Sequence, residues 1–181
     1  MLAGDSAPPR VRWIGDENIL ALSNLMNARI RAAANYELQL WGSDTTRALA
    51  AEMSRQHADI RYTLDSIATA LNMAPVLPAL AADVDSATRR HVEALTAVEG
   101  GRPLDRAYVK TQIASHELML DYLAKFSAAA QRDELRRVID SINAKLKVHL
   151  AQGRALRAQF ANADSAKAAR DSVRRARVRR P

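Results

Sequence analysis

The chain has 181 residues, no cysteine and a formal net charge of +7. That length allows one domain, and the absence of cysteine excludes disulfides, zinc–thiolate sites, iron–sulfur clusters and cysteine nucleophiles. Only 4% of residues are aromatic, and six glycines and six prolines leave few turns, so a β-sandwich or barrel is excluded and an all-α fold is expected.

The chain opens on MLAGDSAPPR, which has no apolar core of the signal-peptide kind; residues 1–15 read as an extended, disordered leader. Asp16 is placed to cap a first helix over about residues 17–41, with Ile19, Leu22, Met26, Ala33, Tyr36 and Leu40 at three- and four-residue steps. Gly42-Ser43-Asp44 makes a short turn. A second helix, about 44–73, carries Leu49, Met53, His57, Ile60, Leu64, Ile67 and Leu71 on one stripe and is ended by Pro75 and Pro78. A shorter helix follows over about 84–98. Gly100-Gly101-Arg102-Pro103 breaks the chain, and Pro103 suits a helix start because its missing N–H is not needed there. The fourth helix, about 104–129, turns Val109, Ile113, His116, Leu120 and Leu123 inward; the fifth, about 133–161, does so with Leu135, Val138, Ile142, Leu146, His149, Leu156 and Phe160. The expected architecture over 16–161 is an antiparallel four-helix bundle, with the short third helix on the long crossover.

Three of the four histidines, His57, His116 and His149, fall on apolar stripes of different long helices, near their midpoints at residues 58, 116 and 147. At ~1.5 Å per residue the three imidazoles share one layer of the bundle. Arg29, near the midpoint of the first helix, is expected in the same layer. Converging imidazoles can hold a transition metal or titrate near neutral pH; the plain alternative is that each bonds a carbonyl or carboxylate and sets register. No glutamate stands three residues before any of them, where Ser54, Ile113 and Leu146 lie, so the di-iron carboxylate signature is missing, and Arg29 would repel a cation. Met53 and Met119 are possible soft ligands for copper, though methionine at helical spacing commonly fills core. No cofactor is expected beyond such a metal. His91 reads as structural or exposed, and carboxylates such as Glu37, Glu52 and Glu117 read as solvated faces. No phosphate loop, nucleophile elbow or zincin motif occurs.

The stretches Asp16–Leu22, Met53 with His57, Leu104–Tyr108, Gln112–His116 and His149-Leu150 with Leu156, in this order and spacing, resemble the bacterial family of unknown function numbered 4142. The resemblance covers about residues 16–160. It implies a ferritin-like helical bundle, exported to the periplasm or associated with the outer membrane, with no catalytic activity established. The chain departs from the family's pattern at Arg29, Gln56 and Ala144, where Glu, Asp and Pro are common. Asp105 and Tyr108 match it. Asp105 is placed to favour the helix dipole and Tyr108 to pack and donate its hydroxyl.

The positive charge lies at the far end. Lys167, Arg170, Arg174, Arg175, Arg177, Arg179 and Arg180 stand against Asp171 alone, so the body before them is almost neutral. This basic tail, 162–181, either extends the last helix or stays unordered. Each Lys or Arg near an anionic membrane contributes about 1 kcal/mol, which suits docking on an anionic envelope surface. No aromatic side chain interleaves the arginines, so nucleic acid is disfavoured; no stretch is apolar enough to span a membrane. Two functions follow. One is an exported, non-enzymatic bundle binding a protein partner or an anionic envelope surface. The alternative is a ferritin-like, metal- or redox-linked protein using the histidine layer.

Overall fold

The computed structural model describes residues 14–40 and 42–178, and among them every regular element is helical. Five helices follow in order: α1 (Asp16–Gln39), α2 (Asp44–Ala70), α3 (Ala81–Thr96), α4 (Arg102–Ala129) and α5 (Asp133–Val178). The boundaries lie close to those read from the stripes, except at the end of α5, which runs on through the basic segment. The expected leader falls on residues outside those described, apart from Ile14 and Gly15.

Helices α1 and α2 run antiparallel, as paired residues show: Ser54 Oγ meets Asn35, Asn27 meets the His57 carbonyl, and Asn24 meets Asp65. Helices α4 and α5 do likewise through Arg106–Asp164, Glu117–Arg154 and Ser127–Asp140. Contacts of α1 with α4 and of α2 with α5 bring the two pairs together, and α3 lies against α1 and α4. Helix ends have local causes. Ser43 caps α2 by accepting the Thr46 N–H, and α2 ends before Asn72, whose φ of 50° no helix continues. Gly101 adopts φ 81° just before α4, a conformation that favours glycine.

Asp16 is not the N-cap of α1; Gly15 holds that place. The buried Asp16 carboxylate instead accepts the backbone N–H groups of Gln131 (2.9 Å) and Arg132 (3.2 Å), just before α5.

The apolar core falls into two clusters. One contains Met26, Ile30, Ile60, Leu64, Met119, Leu123, Ile142 and Leu146. The other contains Ala33, Ala34, Met53, Val109, Ile113 and Leu150. On α2, α4 and α5 the residue lying between the two clusters is a histidine: His57, His116 and His149. Burial of a Leu or Ile side chain contributes roughly 1.5–3 kcal/mol, so each cluster holds the helices firmly on its side of a polar layer.

Asp16→Ala leaves two buried backbone donors without their acceptor. It is expected to lower unfolding free energy by about 1–3 kcal/mol, read from urea denaturation.

Candidate metal centre

His57, His116 and His149 meet in the interior, as their spacing predicts. All three are buried, and the ring centroids are 5.3 Å apart in each of the three pairs. His57 Nε2 lies 3.3 Å from His116 Nε2, which lies 3.2 Å from His149 Nδ1. One nitrogen of each ring therefore faces the common centre.

The outward nitrogens decide where the protons are. His57 Nδ1 meets Asn27 Oδ1 at 2.6 Å, and the same amide donates its Nδ2 to the His57 carbonyl at 2.8 Å, so its oxygen must face the ring. His116 Nδ1 meets the Gln112 carbonyl at 2.7 Å. His149 Nε2 meets Gln56 Oε1, while Gln56 Nε2 is engaged by Glu52 Oε1 at 2.8 Å. Each outward partner is thus an oxygen that can only accept. Each outer nitrogen carries the hydrogen, and the three inner nitrogens present bare lone pairs to one another.

Three lone pairs at this separation do not hydrogen-bond; they need a positive charge between them. A tetrahedral ion at ~2.0–2.1 Å from nitrogen sets its ligands about 3.3 Å apart, close to the 3.3 and 3.2 Å from His116 Nε2 to the other two nitrogens, all three lying within 4.8 Å of one another. Burial keeps the rings neutral and ready to ligate. It lowers the His57 pKa well below the usual value, aided by its two neighbours, and lowers His116 to about 4 against the helping Gln112 carbonyl. His149 is also lowered by burial, with Glu52 opposing. Among the described residues these three side chains are the only His, Cys, Asp or Glu group gathered closely enough to hold an ion.

Arg29 does not join this layer. Its guanidinium turns outward to pair with Asp85 of α3 and is partly exposed. The α1 member of the layer is Asn27, two residues earlier and buried. Removing Arg29 from the layer removes the repulsion expected from its charge. Asn27 is not among the residues the sequence singles out, and Gln56 stands out there only as a departure from the family's pattern, because an amide carries no ligand signature; the signal available for Asn27 was position, one residue after Met26 on the buried face. Met53 and Met119 are buried core, each within one of the apolar clusters. His91 is partly buried, with its Nδ1 at 2.9 Å from Ser115 Oγ.

Among the other expected sites, Asp105 and Tyr108 are both buried; Asp105 lies in the first turn of α4 and Tyr108 packs in the second apolar cluster, as expected, and the difference is at the Tyr108 hydroxyl. Asp105 accepts the Ser43 N–H at 2.9 Å across the α1–α2 turn, and the Tyr108 hydroxyl has no partner among the described residues. Glu37 is wholly buried rather than a solvated face. In the basic segment Lys167, Arg170, Arg174 and Arg175 are exposed along α5; the side chains of Arg177, Arg179 and Arg180 lie outside those described. No helix among the described residues is long and apolar enough to cross a membrane.

An all-helical chain with a buried trihistidine layer is the class these features define. The model of the domain of unknown function DUF4142 matches residues 15–156, and the chain belongs to that family. No curated protein and no solved structure matches it.

Because folding lowers the histidine pKa values, the unfolded chain takes up protons before the folded one does. The metal-free protein is expected to keep this stabilisation above pH 6.5 and lose it as the pH falls toward about 4. Melting temperatures measured across that range should fall with pH, with a shallower slope in His116→Gln.

Proposed function

We propose that this protein is a metal-binding member of its family, holding one transition-metal ion of the zinc class on His57, His116 and His149. The observation that carries the reading is the fixed tautomer of all three rings. Each outer N–H is committed to Asn27, Gln112 or Gln56, and the three inner nitrogens lie within 4.8 Å of one another, His116 Nε2 standing 3.3 and 3.2 Å from the other two. Purely structural histidines would pair donor with acceptor at such contacts. Imidazole sets suit zinc, copper, iron and nickel alike, and three protein ligands leave a fourth position for an exogenous ligand. The scaffold in this reading is an antiparallel four-helix bundle of ferritin-like kind, α1, α2, α4 and α5 meeting around the layer with α3 on the crossover. The metal sits in it without the carboxylate bridges of di-iron bundles.

The test is metal content. Untagged protein incubated with zinc, copper, iron or manganese and then desalted should retain close to one ion per chain of at least one of them. The His57→Ala, His116→Ala, His149→Ala variant should retain none. No retained metal in folded wild-type protein overturns the reading. Asn27→Leu and Gln56→Leu, which keep the ligands and loosen their support, are expected to weaken metal affinity about 10–100-fold.

A second reading rests on the last stretch of α5. Beyond Asp164, which pairs with Arg102 and Arg106 of α4, every side chain from Ser165 to Arg175 is exposed, with Lys167, Arg170, Arg174 and Arg175 among them. This favours reversible docking of a cationic helix on an anionic envelope surface, consistent with the export that family resemblance implies. Co-sedimentation with vesicles of phosphatidylglycerol and phosphatidylethanolamine should fall on deleting residues 167–181 and should fade with salt. Equal binding by the truncated chain rules it out.

A further inference from the structure

Among the described residues, the two most deeply buried carboxyl groups lie at one end of the helices, away from the histidines. Glu37, on the last turn of α1, is wholly buried, and neither of its oxygens meets a donor among the described residues. Asp105, in the first turn of α4, is buried beside it. Asp105 Oδ1 accepts the N–H of Ser43, the residue that caps α2. Between them passes the backbone of Gly42. A Cβ at that position would stand 2.0 Å from Glu37 Oε1 and 2.9 Å from Asp105 Oδ1, so the turn lies directly against both carboxyl groups, and a larger residue there would have to displace them.

Two ionised carboxylates buried side by side would repel strongly. The charged neighbours do not offset them. Arg47 of α2 turns its guanidinium to the carbonyls of Leu38 (3.3 Å) and Leu40 (2.8 Å), and its charge is the weakest influence on Glu37. Tyr108 of α4, one turn beyond Asp105, is neutral, its phenol pushed up by burial and then by the Glu37 charge. What joins the pair must carry positive charge and occupy little space, because Gly42 packs on it.

We propose that Glu37 and Asp105 share a single proton, and that this proton latches the α1–α2 turn to the start of α4. Asp105, already holding the Ser43 N–H, is the acceptor; the Glu37 hydroxyl is the donor. The Glu37 pKa agrees, raised to about 7 by burial first, then by the Asp105 charge and the hydrogen bond to it. In the open turn Glu37 returns toward its ordinary value of 4.5. The latch is therefore fully closed below that value, weakens as pH rises to about 7, and stays weak above it. Each pH unit in that window changes the closing equilibrium by up to ~10-fold.

Amide hydrogen exchange on the full chain, corrected for intrinsic rate, reads the latch at Ser43. Protection of that amide is expected to fall at least tenfold between pH 5 and pH 7.5 in the wild type. It should not change with pH in Glu37→Gln, whose amide donates to Asp105 without titrating. In Asp105→Asn the Ser43 contact can persist while the transition moves to lower pH, because the neighbouring charge is gone. Equal Ser43 protection at pH 5 and 7.5 in the wild type, or an undiminished pH dependence in Glu37→Gln, overturns the proposal. Recovery of protection at pH 8 by millimolar calcium or manganese also overturns it, by making the pair a cation site.

Discussion

Everything in the interior is arranged around three nitrogen lone pairs that point at one another. That arrangement is unfavourable by itself, and it persists because each ring is held from behind by an acceptor on a helix. Asn27 of α1 holds His57 of α2, and Gln56 of α2 holds His149 of α5, whereas Gln112 holds His116 within α4, so orienting the rings sets how α1, α2 and α5 stand along their axes, and α4 joins them through the His116 ring. Sliding α1 past α2 by one turn would take Asn27 from His57 and leave a buried ring N–H unpaired, a cost of about 1–3 kcal/mol. Apolar clusters on either side tolerate repacking far better than that. The polar layer therefore supplies register, and the apolar layers supply most of the stability.

Much of this was legible in the residue pattern. The stripes mark all five helices because burial is periodic, and His57 and His116 share a height because each sits near the middle of its helix, whereas His149 joins them well before the middle of α5, which runs on to Val178. The misplacement of Arg29 shows where that reasoning stops. A midpoint gives height along a helix and says little about direction around it, and two residues' difference, from Asn27 to Arg29, turns a side chain by about 200°. Arg29 then finds Asp85 on α3, a helix whose position no stripe specified. Glu37 was misread for a different reason. A glutamate on a helix is ordinarily solvated, and it is otherwise here because the turn at Gly42 and Asp105, 68 residues away in the chain, close over it. The resemblance to a family is borne out by the match over residues 15–156, and it gave no chemistry.

The two buried polar groups respond to acid in opposite senses. Neutral histidines favour the fold at higher pH, whereas a protonated Glu37 favours it at lower pH. They are linked through one helix. Asp105, Tyr108, Gln112 and His116 recur on α4 at three- and four-residue steps and are all buried, making a polar line along α4 from the Glu37 carboxyl to the histidine layer. The Gln112 side chain in that line has neither of its amide atoms bonded among the described residues. Stability alone does not account for such a line, since apolar residues of the same size would cost less to bury.

The carboxylate of Asp16 has a further consequence, in the order in which the chain assembles. It joins the start of α1 to backbone donors 115 and 116 residues away. A contact of that sequence separation forms only after the intervening helices have gathered, so it belongs to the late side of the folding barrier. Interactions made after the barrier slow unfolding and barely touch folding speed. Asp16 thus acts as a fastener on the finished molecule: α1 cannot fray from its first turn without releasing the entry to α5, and the lifetime of the folded state depends on a residue that contributes little to reaching it.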